Sequence, residues 1–307
     1  SVMIHREWIK EIRNTAPRIH CITNYVTAGD VANMILAVGG SPIMAQGIRE
    51  VEDVTTICHG LVLNMGTLEE ERVDAMILAG KRAVSLGHPI ILDPVGVTAS
   101  GFRRASALRI LRQVPVCVIR GNASEICALD QAFGGMDRGN VCGVDSCTDS
   151  VMDGQVSSAL SLGRRTGAVV VMTGSVDVVA GQHQVVTVRN GHPWMARITG
   201  SGCMLDGVMG AFCAVAARYE DKGPAEGGDP AEDGGPAEGG TIGRNGGDAY
   251  VQAAVAALCA HGICGELAAE KAMESGGGTG TFRMYLMDYM SILTDEMLEG
   301  GKRIEIS

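Results

Sequence analysis

Aromatic residues make up only 4% of this 307-residue chain, so its core must be aliphatic and rich in alanine and methionine. Basic residues are also in deficit. Lys and Arg number 25 against 35 Asp and Glu, a net charge of −10. That argues against a nucleic-acid partner, because phosphate backbones are bound by basic surfaces. No uncharged apolar run reaches the roughly 18 residues of a membrane span. The nearest, "AYVQAAVAALCAHGICG" at 249–265, carries Gln252 and His261 and reads as a buried helix. The N-terminal "SVMIHREWIKEIRNT" is charged and amphipathic, unlike a signal peptide.

Ten cysteines are present, but no C-x-x-C pair, which removes the usual zinc framework. Cys58, Cys117, Cys127, Cys213 and Cys259 lie in apolar runs, where a reduced thiol acts as a small hydrophobe. Cys142 and Cys147, with four residues between them in a loop, are where a local disulfide or metal stays open. The usage points to reducing cytoplasm. Two phosphate-loop patterns are missing as well: G-x-x-x-x-G-K-[ST] and a complete G-x-G-x-x-G.

What the chain has is alternation. Short apolar runs at 19–24, 41–45, 61–66, 89–96, 116–122 and 168–174 predict strands, and 177–191 predicts a hairpin. Helical patterns fill the gaps, as at 68–87, 203–219, 248–271 and 281–298. Near-continuous apolar strands between helices indicate an α/β fold with a mostly parallel sheet covered on both faces. One domain over 1–307 is expected. The segment 220–248 repeats Gly, Pro, Ala and acidic residues, with "GPAEGG" twice, and predicts a disordered insertion. A second loop is expected at 133–149.

Polar residues collect at the predicted carboxyl ends of strands: Asn24, Asn64 with Gly66, Asp93, Asn122 and Thr173. In open α/β sheets ligands bind there. Asp93 in "LDPVG" suits a magnesium ion or a turn cap. "RGNASE" presents Arg120, Asn122 and Glu125, suited to phosphate and magnesium, while Asn122 and Glu125 also match a capping box. "TGSGCM" puts Thr199, Gly200, Ser201, Gly202 and Cys203 where a helix begins, an anion hole at the positive end of its dipole. Cys203 there could be base or nucleophile. A hydrolase would need His192 as its partner, with no orienting acid in evidence. Whether Asp206, one turn on, faces this place is open from the sequence.

Together "HCITNYVT", "SPIMA", "NMGTL", "ILDPVG", "IRGNASEI", "TGSVD", "NGHPWM", "TGSGCM" and "GAFCAV" resemble, in order and spacing, the hydroxyethylthiazole kinase family. The resemblance covers nearly the whole chain except 133–149 and 220–248. It implies a three-layer αβα ribokinase-like fold. It implies ATP-dependent phosphorylation of 4-methyl-5-(2-hydroxyethyl)thiazole in thiamin salvage, with Mg²⁺ and a cytoplasmic homotrimer whose active sites lie at subunit interfaces. Met44 and Gly200 would contact the thiazole, with Asn24 and Gly66 near it. Arg120, Thr173 and Asn122 would contact ATP, and Asp93 and Glu125 would organise the metal. Gly200, Gly202 and Cys203 would form the catalytic turn, Cys203 standing where related sugar kinases carry an aspartate base.

Overall fold

A computed structural model describes residues 7–134, 149–220 and 247–307. One nine-stranded sheet runs in the order β2-β1-β3-β4-β5-β6-β7-β8-β9. The strands are β1 Arg18–Ile22, β2 Ser41–Ile43, β3 Gly60–Asn64, β4 Ile90–Asp93, β5 Val118–Asn122, β6 Val169–Thr173, β7 Asp177–Ala180, β8 Val185–Val188 and β9 Ile304–Ile306. Pairings from β2 through β6 are parallel, and those from β6 to β9 antiparallel. The buried run of β3, "GLVLN", is the two-face pattern of a parallel strand.

Helices cover both faces, each over its own apolar core. On one face lie α1 (Trp8–Thr15), α2 (Ala28–Val38), α8 (Ser201–Glu220), α9 (Gly247–Glu274) and α10 (Thr279–Ile292). The other carries α3 (Val51–Ile57), α4 (Glu70–Ser85), α5 (Gly101–Gln113), α6 (Ala123–Ala132) and α7 (Asp149–Thr166). The three-layer α/β expectation is met. α9 is long and apolar enough to cross a bilayer, yet 83% of its most apolar window is buried inside the fold. It is the core helix that Gln252 and His261 pointed to.

Three details differ from the sequence expectation. The helix expected over 281–298 is two helices, α10 and α11 (Asp295–Gly301). Thr294 breaks it by capping α11, its hydroxyl accepting from the Met297 amide at 3.1 Å. Its neighbour Asp295 reaches across to cap α1, accepting from the Ile9 and Lys10 amides at 2.8 and 3.0 Å. Strand β9, three residues pairing β8, had no periodic signal long enough to be seen. Cys127 is disulfide-bonded rather than a reduced core thiol. Cys142, Cys147 and nearly all of 133–149 and 220–248 lie outside the described residues.

Helix α8 packs across the centre of the sheet and against α2, and two glycines let it come close. A Cβ at Gly207 would meet Ile35 at 2.8 Å, and one at Gly210 would meet Val62 at 2.9 Å and Ile19 at 3.1 Å. In Gly210→Leu the added side chain has no room between helix and strands. We expect a loss of roughly 1–3 kcal/mol or more in denaturant unfolding, as overpacked cores show. A midpoint equal to the parent's would mean that α8 can shift away freely.

Candidate active site

The order of strands reverses beside β1. The chain leaves β1 through α2 on one face to reach β2, then crosses through α3 on the other face to β3, on the far side of β1. The two connections diverge, opening a crevice at the carboxyl ends of β1 and β3. Asn24, two residues past β1, and Asn64, the last of β3, meet across it, Asn24 Nδ2 donating to Asn64 Oδ1 at 3.0 Å. Thr27 fixes the other side of Asn24, donating to its Oδ1 from amide and hydroxyl at 3.1 and 3.0 Å. Gly66 donates its amide to Asn64 Oδ1 at 2.9 Å. A Cβ on Gly66 would strike Asn24 Cβ at 2.7 Å, so only glycine lets this loop close.

Asn64 is a hub. Its Nδ2 donates to Asp93 Oδ2 at 3.0 Å and to Asp206 Oδ2 at 3.1 Å. Arg120 lies between the same two carboxylates. Its Nε donates to Asp206 Oδ1 at 2.8 Å, and its Nη2 pairs with Asp93 Oδ2. All four side chains are buried. Burial pushes the Asp93 carboxyl well above the ordinary range, against the pull of Arg120. Burial alone would lower Arg120, but Asp206 and Asp93 together hold it above its usual value.

Cys203 sits over this network. Asn24 Nδ2 and Asn64 Nδ2 each lie 3.4 Å from its Sγ. Gly200 immediately precedes α8: its carbonyl accepts from the Met204 amide at 2.8 Å, and its φ of +81° is a left-handed value that favours glycine. Having no side chain, Gly200 cannot cap the amides of Ser201, Gly202 and Cys203, which are left for an anion. A Cβ on Gly202 would stand 2.7 Å from Arg120 Nη1, so this glycine lets the guanidinium lie against the turn.

The other predicted residues occupy the same sheet edge with varying closeness. Thr173 Oγ1 is 3.5 Å from Arg120 Nη1. Asn122 and Glu125 form a full capping box on α6, Asn122 Oδ1 accepting from the Glu125 amide at 2.9 Å and Glu125 Oε2 from the Asn122 amide at 3.0 Å. Glu125 Oε1 also accepts from the Gly96 amide at 2.9 Å, tying the loop after Asp93 to this helix. Met44 is one residue past edge strand β2 and 39% exposed, outside the hydrogen-bonded network. Its neighbour Ala45 is held through its carbonyl by His20 Nε2 at 2.8 Å. His192 caps the short 3-10 helix Pro193–Arg197, its Nδ1 accepting from the Trp194 amide at 3.2 Å. Cys203 is contacted by the side-chain amides of Asn24 and Asn64 instead, so the hydrolase reading loses its base.

Two residues of weight were not resolved by sequence reasoning. Asp206 faces the site and is fully buried. The signal was its spacing: three residues after Cys203, it shares that helix face. His261 of α9 lies 3.3 Å from Ser201 Oγ through Nε2. It stood in an apolar helix with nothing local to mark a partner 60 positions away.

The hydroxyethylthiazole kinase family model matches residues 9–225. The chain belongs to the hydroxyethylthiazole kinase family. It is 40% identical to a hydroxyethylthiazole kinase of Clostridium acetobutylicum, over 98% of both chains. It is 41% identical to one of Desulfovibrio desulfuricans, over 96% of this chain and 95% of the other. The solved hydroxyethylthiazole kinase of Pyrococcus horikoshii superposes with a TM-score of 0.77 at 29% identity, over 98% of each chain. A ribokinase-like protein of Enterococcus faecalis shares the fold, with a TM-score of 0.55 at 11% identity, covering 91% of this chain and 88% of the other. Family and fold are therefore those of a hydroxyethylthiazole kinase.

At the rim, Asp177 accepts from the Gly174 amide at 2.9 Å and closes the turn after Thr173. Burial pushes its carboxyl up to about 7, against the Gly174 amide and Arg120. The folded state thus keeps a proton that the unfolded state releases at about pH 4. That stability is whole below the unfolded value and is lost as pH rises through about 7. Asp177→Asn keeps the acceptor without the charge. Its melting temperature should exceed the parent's at about pH 8 and match it at about pH 4.5. An equal gap at both values would contradict this assignment.

Proposed function

We propose that this protein transfers the γ-phosphoryl group of ATP to the hydroxyl of 4-methyl-5-(2-hydroxyethyl)thiazole, giving the monophosphate in thiamin synthesis, as one kinase domain over 1–307. The observation that carries this reading is the meeting of Cys203, Asn24 and Asn64 at the uncapped start of α8, directly over the Asp93–Arg120–Asp206 network. Phosphoryl transfer asks for positioning and charge stabilisation more than for covalent chemistry. The amides of Ser201, Gly202 and Cys203 receive the transferring group. Asn24, Gly66, Met44 and Gly200 border the thiazole, and Arg120, Thr173 and Asn122 face ATP. Cys203 is the residue beside the substrate alcohol.

A magnesium ion fits Asp93 and Glu125 by donor chemistry. Asp93 Oδ2 carries the bonds to Asn64 and Arg120, leaving Oδ1 for the metal or its water. Each Glu125 oxygen takes one amide and keeps a lone pair. Asp93, Cys203 and Asp206 offer ligand atoms within 4.8 Å of one another, but a thiol is a soft ligand, and Asp206 is taken by Arg120 and Asn64. When bound, the ion neutralises charge on the phosphate oxygens. Tyr25 and Val26, 71% and 57% exposed beside buried Asn24, leave apolar surface next to the site for the neighbouring subunit of the homotrimer that we propose. A cytoplasmic setting suits the two substrates.

The test is ATP-dependent formation of the thiazole monophosphate. Turnover should require Mg²⁺ and stop with a chelator; no product with Mg²⁺ present would sink the proposal. Cys203→Ala should retain most turnover, since a loose transition state needs little early deprotonation. Cys203→Asp should match or exceed the parent. A carboxylate close to Asp93 and Asp206 is raised in pKa by its neighbours and becomes a better base near neutrality. An inactive but folded Cys203→Asp would count against a base at this position.

A further inference from the structure

Ser201 is the first residue of α8 and belongs to the turn that receives the phosphoryl group in the proposed reaction, on which this inference rests. Its Oγ lies 3.3 Å from His261 Nε2. His261 is 3% exposed, and its other ring nitrogen, Nδ1, is buried without a hydrogen-bond partner. These facts constrain where the protons sit. Burial lowers the His261 pKa to about 4, against a backbone hydrogen bond with Ser201, so the ring is neutral near pH 7 and carries one N–H, held on the Ser201 side. Were Ser201 to donate to Nε2, that N–H would have to be at Nδ1, where nothing accepts it. A buried N–H left alone is rarer, and costlier, than a buried lone pair left alone. The proton therefore belongs on Nε2 and is donated to Ser201 Oγ.

The consequence lies on the other side of the hydroxyl. With one lone pair of Oγ taken by His261, the Ser201 O–H is free to turn toward the mouth of the helix, beside the amides of Gly202 and Cys203. We infer that His261 is a positioning residue that orients Ser201 as a further hydrogen-bond donor to the transferring phosphoryl group. The anion hole then has a side-chain donor as well as three amides, and its geometry is set from α9, a core helix. Neither residue needs to change protonation during the reaction.

Four variants in the ATP–thiazole assay test this, with kcat and KM measured separately and melting temperature followed. Ser201→Ala should lower kcat on the order of 10²-fold, the usual effect of losing one preorganised donor, with the thiazole KM little changed. His261→Leu should lower kcat about 10-fold, and the double variant should be no worse than Ser201→Ala alone, because the two act as one unit. His261→Gln should recover most of the loss, since its amide can donate from nearly the same place. Its kcat–pH profile should keep the parental shape over about pH 6–9. Should His261→Leu not fold, His261→Met, flexible enough to fill the site, takes its place in the cycle.

Parental kcat in the His261 variants beside an impaired Ser201→Ala would overturn the role of His261, as would additive losses in the double variant. A His261→Gln variant as slow as His261→Leu would overturn it too. Parental kcat in Ser201→Ala would overturn the inference whole. Gly202→Leu then separates the two readings: lost turnover keeps the phosphoryl group at the start of α8, and parental turnover removes it from there.

Discussion

Arg120 holds one positive charge between two buried carboxylates, Asp93 at the end of β4 and Asp206 in the second turn of α8. Those bonds join two strands to a helix from the far end of the sequence. Ion pairs in such surroundings give little net stability, since desolvation offsets their attraction. They do fix geometry, because removing one partner strands a buried charge. α8 therefore has one register against the sheet. With Asp206 held, Cys203 must lie over Asn24 and Asn64, and the open amides of the helix must face the crevice. Gly207 and Gly210 permit the close approach, and the guanidinium decides where along the sheet it happens.

Asn64 completes the arrangement in a way no charged residue could. An amide donates and accepts at once. Nδ2 serves both carboxylates, while Oδ1 accepts from Asn24 and from the Gly66 amide. An aspartate here would add a third carboxylate beside one guanidinium, and a leucine would leave Asp93 and Asp206 each short of a donor. The crevice created by strand order thus becomes rigid through a side chain that can face both ways.

Most of the sheet was legible in the sequence because parallel strands are buried on both faces and read as unbroken apolar runs, as "GLVLN" and "VVVMT" do. Their polar ends marked the crevice for the same reason: a buried strand admits Asn64 or Asp93 only where it leaves the core. What stayed hidden was pairing across distance. The sequence shows Arg120 as a strand-end cation suited to phosphate. It does not show that Asp206, 86 positions later, would claim its Nε. His261 was hidden for the same reason. Thr294 and β9 were missed on a smaller scale, since a cap and a three-residue edge strand carry too little periodicity against a long helical pattern.

The charge count at the site bears on how a triphosphate can be held there. Ionised together, two carboxylates and one guanidinium carry an excess of negative charge below Cys203, and Glu125 adds another carboxylate at the rim; burial, with Asp206 close by, holds the Asp93 carboxyl above its ordinary range for that reason. An anion approaching this floor meets repulsion unless something positive intervenes. The backbone amides of α8 supply about half a charge at the helix start. Arg120 is largely neutralised by its own partners, so in the proposed reaction it would orient phosphate through Nη1, beside Gly202 and Thr173, more than attract it. In the proposed reaction Asp93 and Glu125 would hold a divalent cation, which would supply the positive charge that offsets this excess. On this reading metal dependence is built into the same interaction that seats α8. Chemistry and fold rest on one surplus carboxylate.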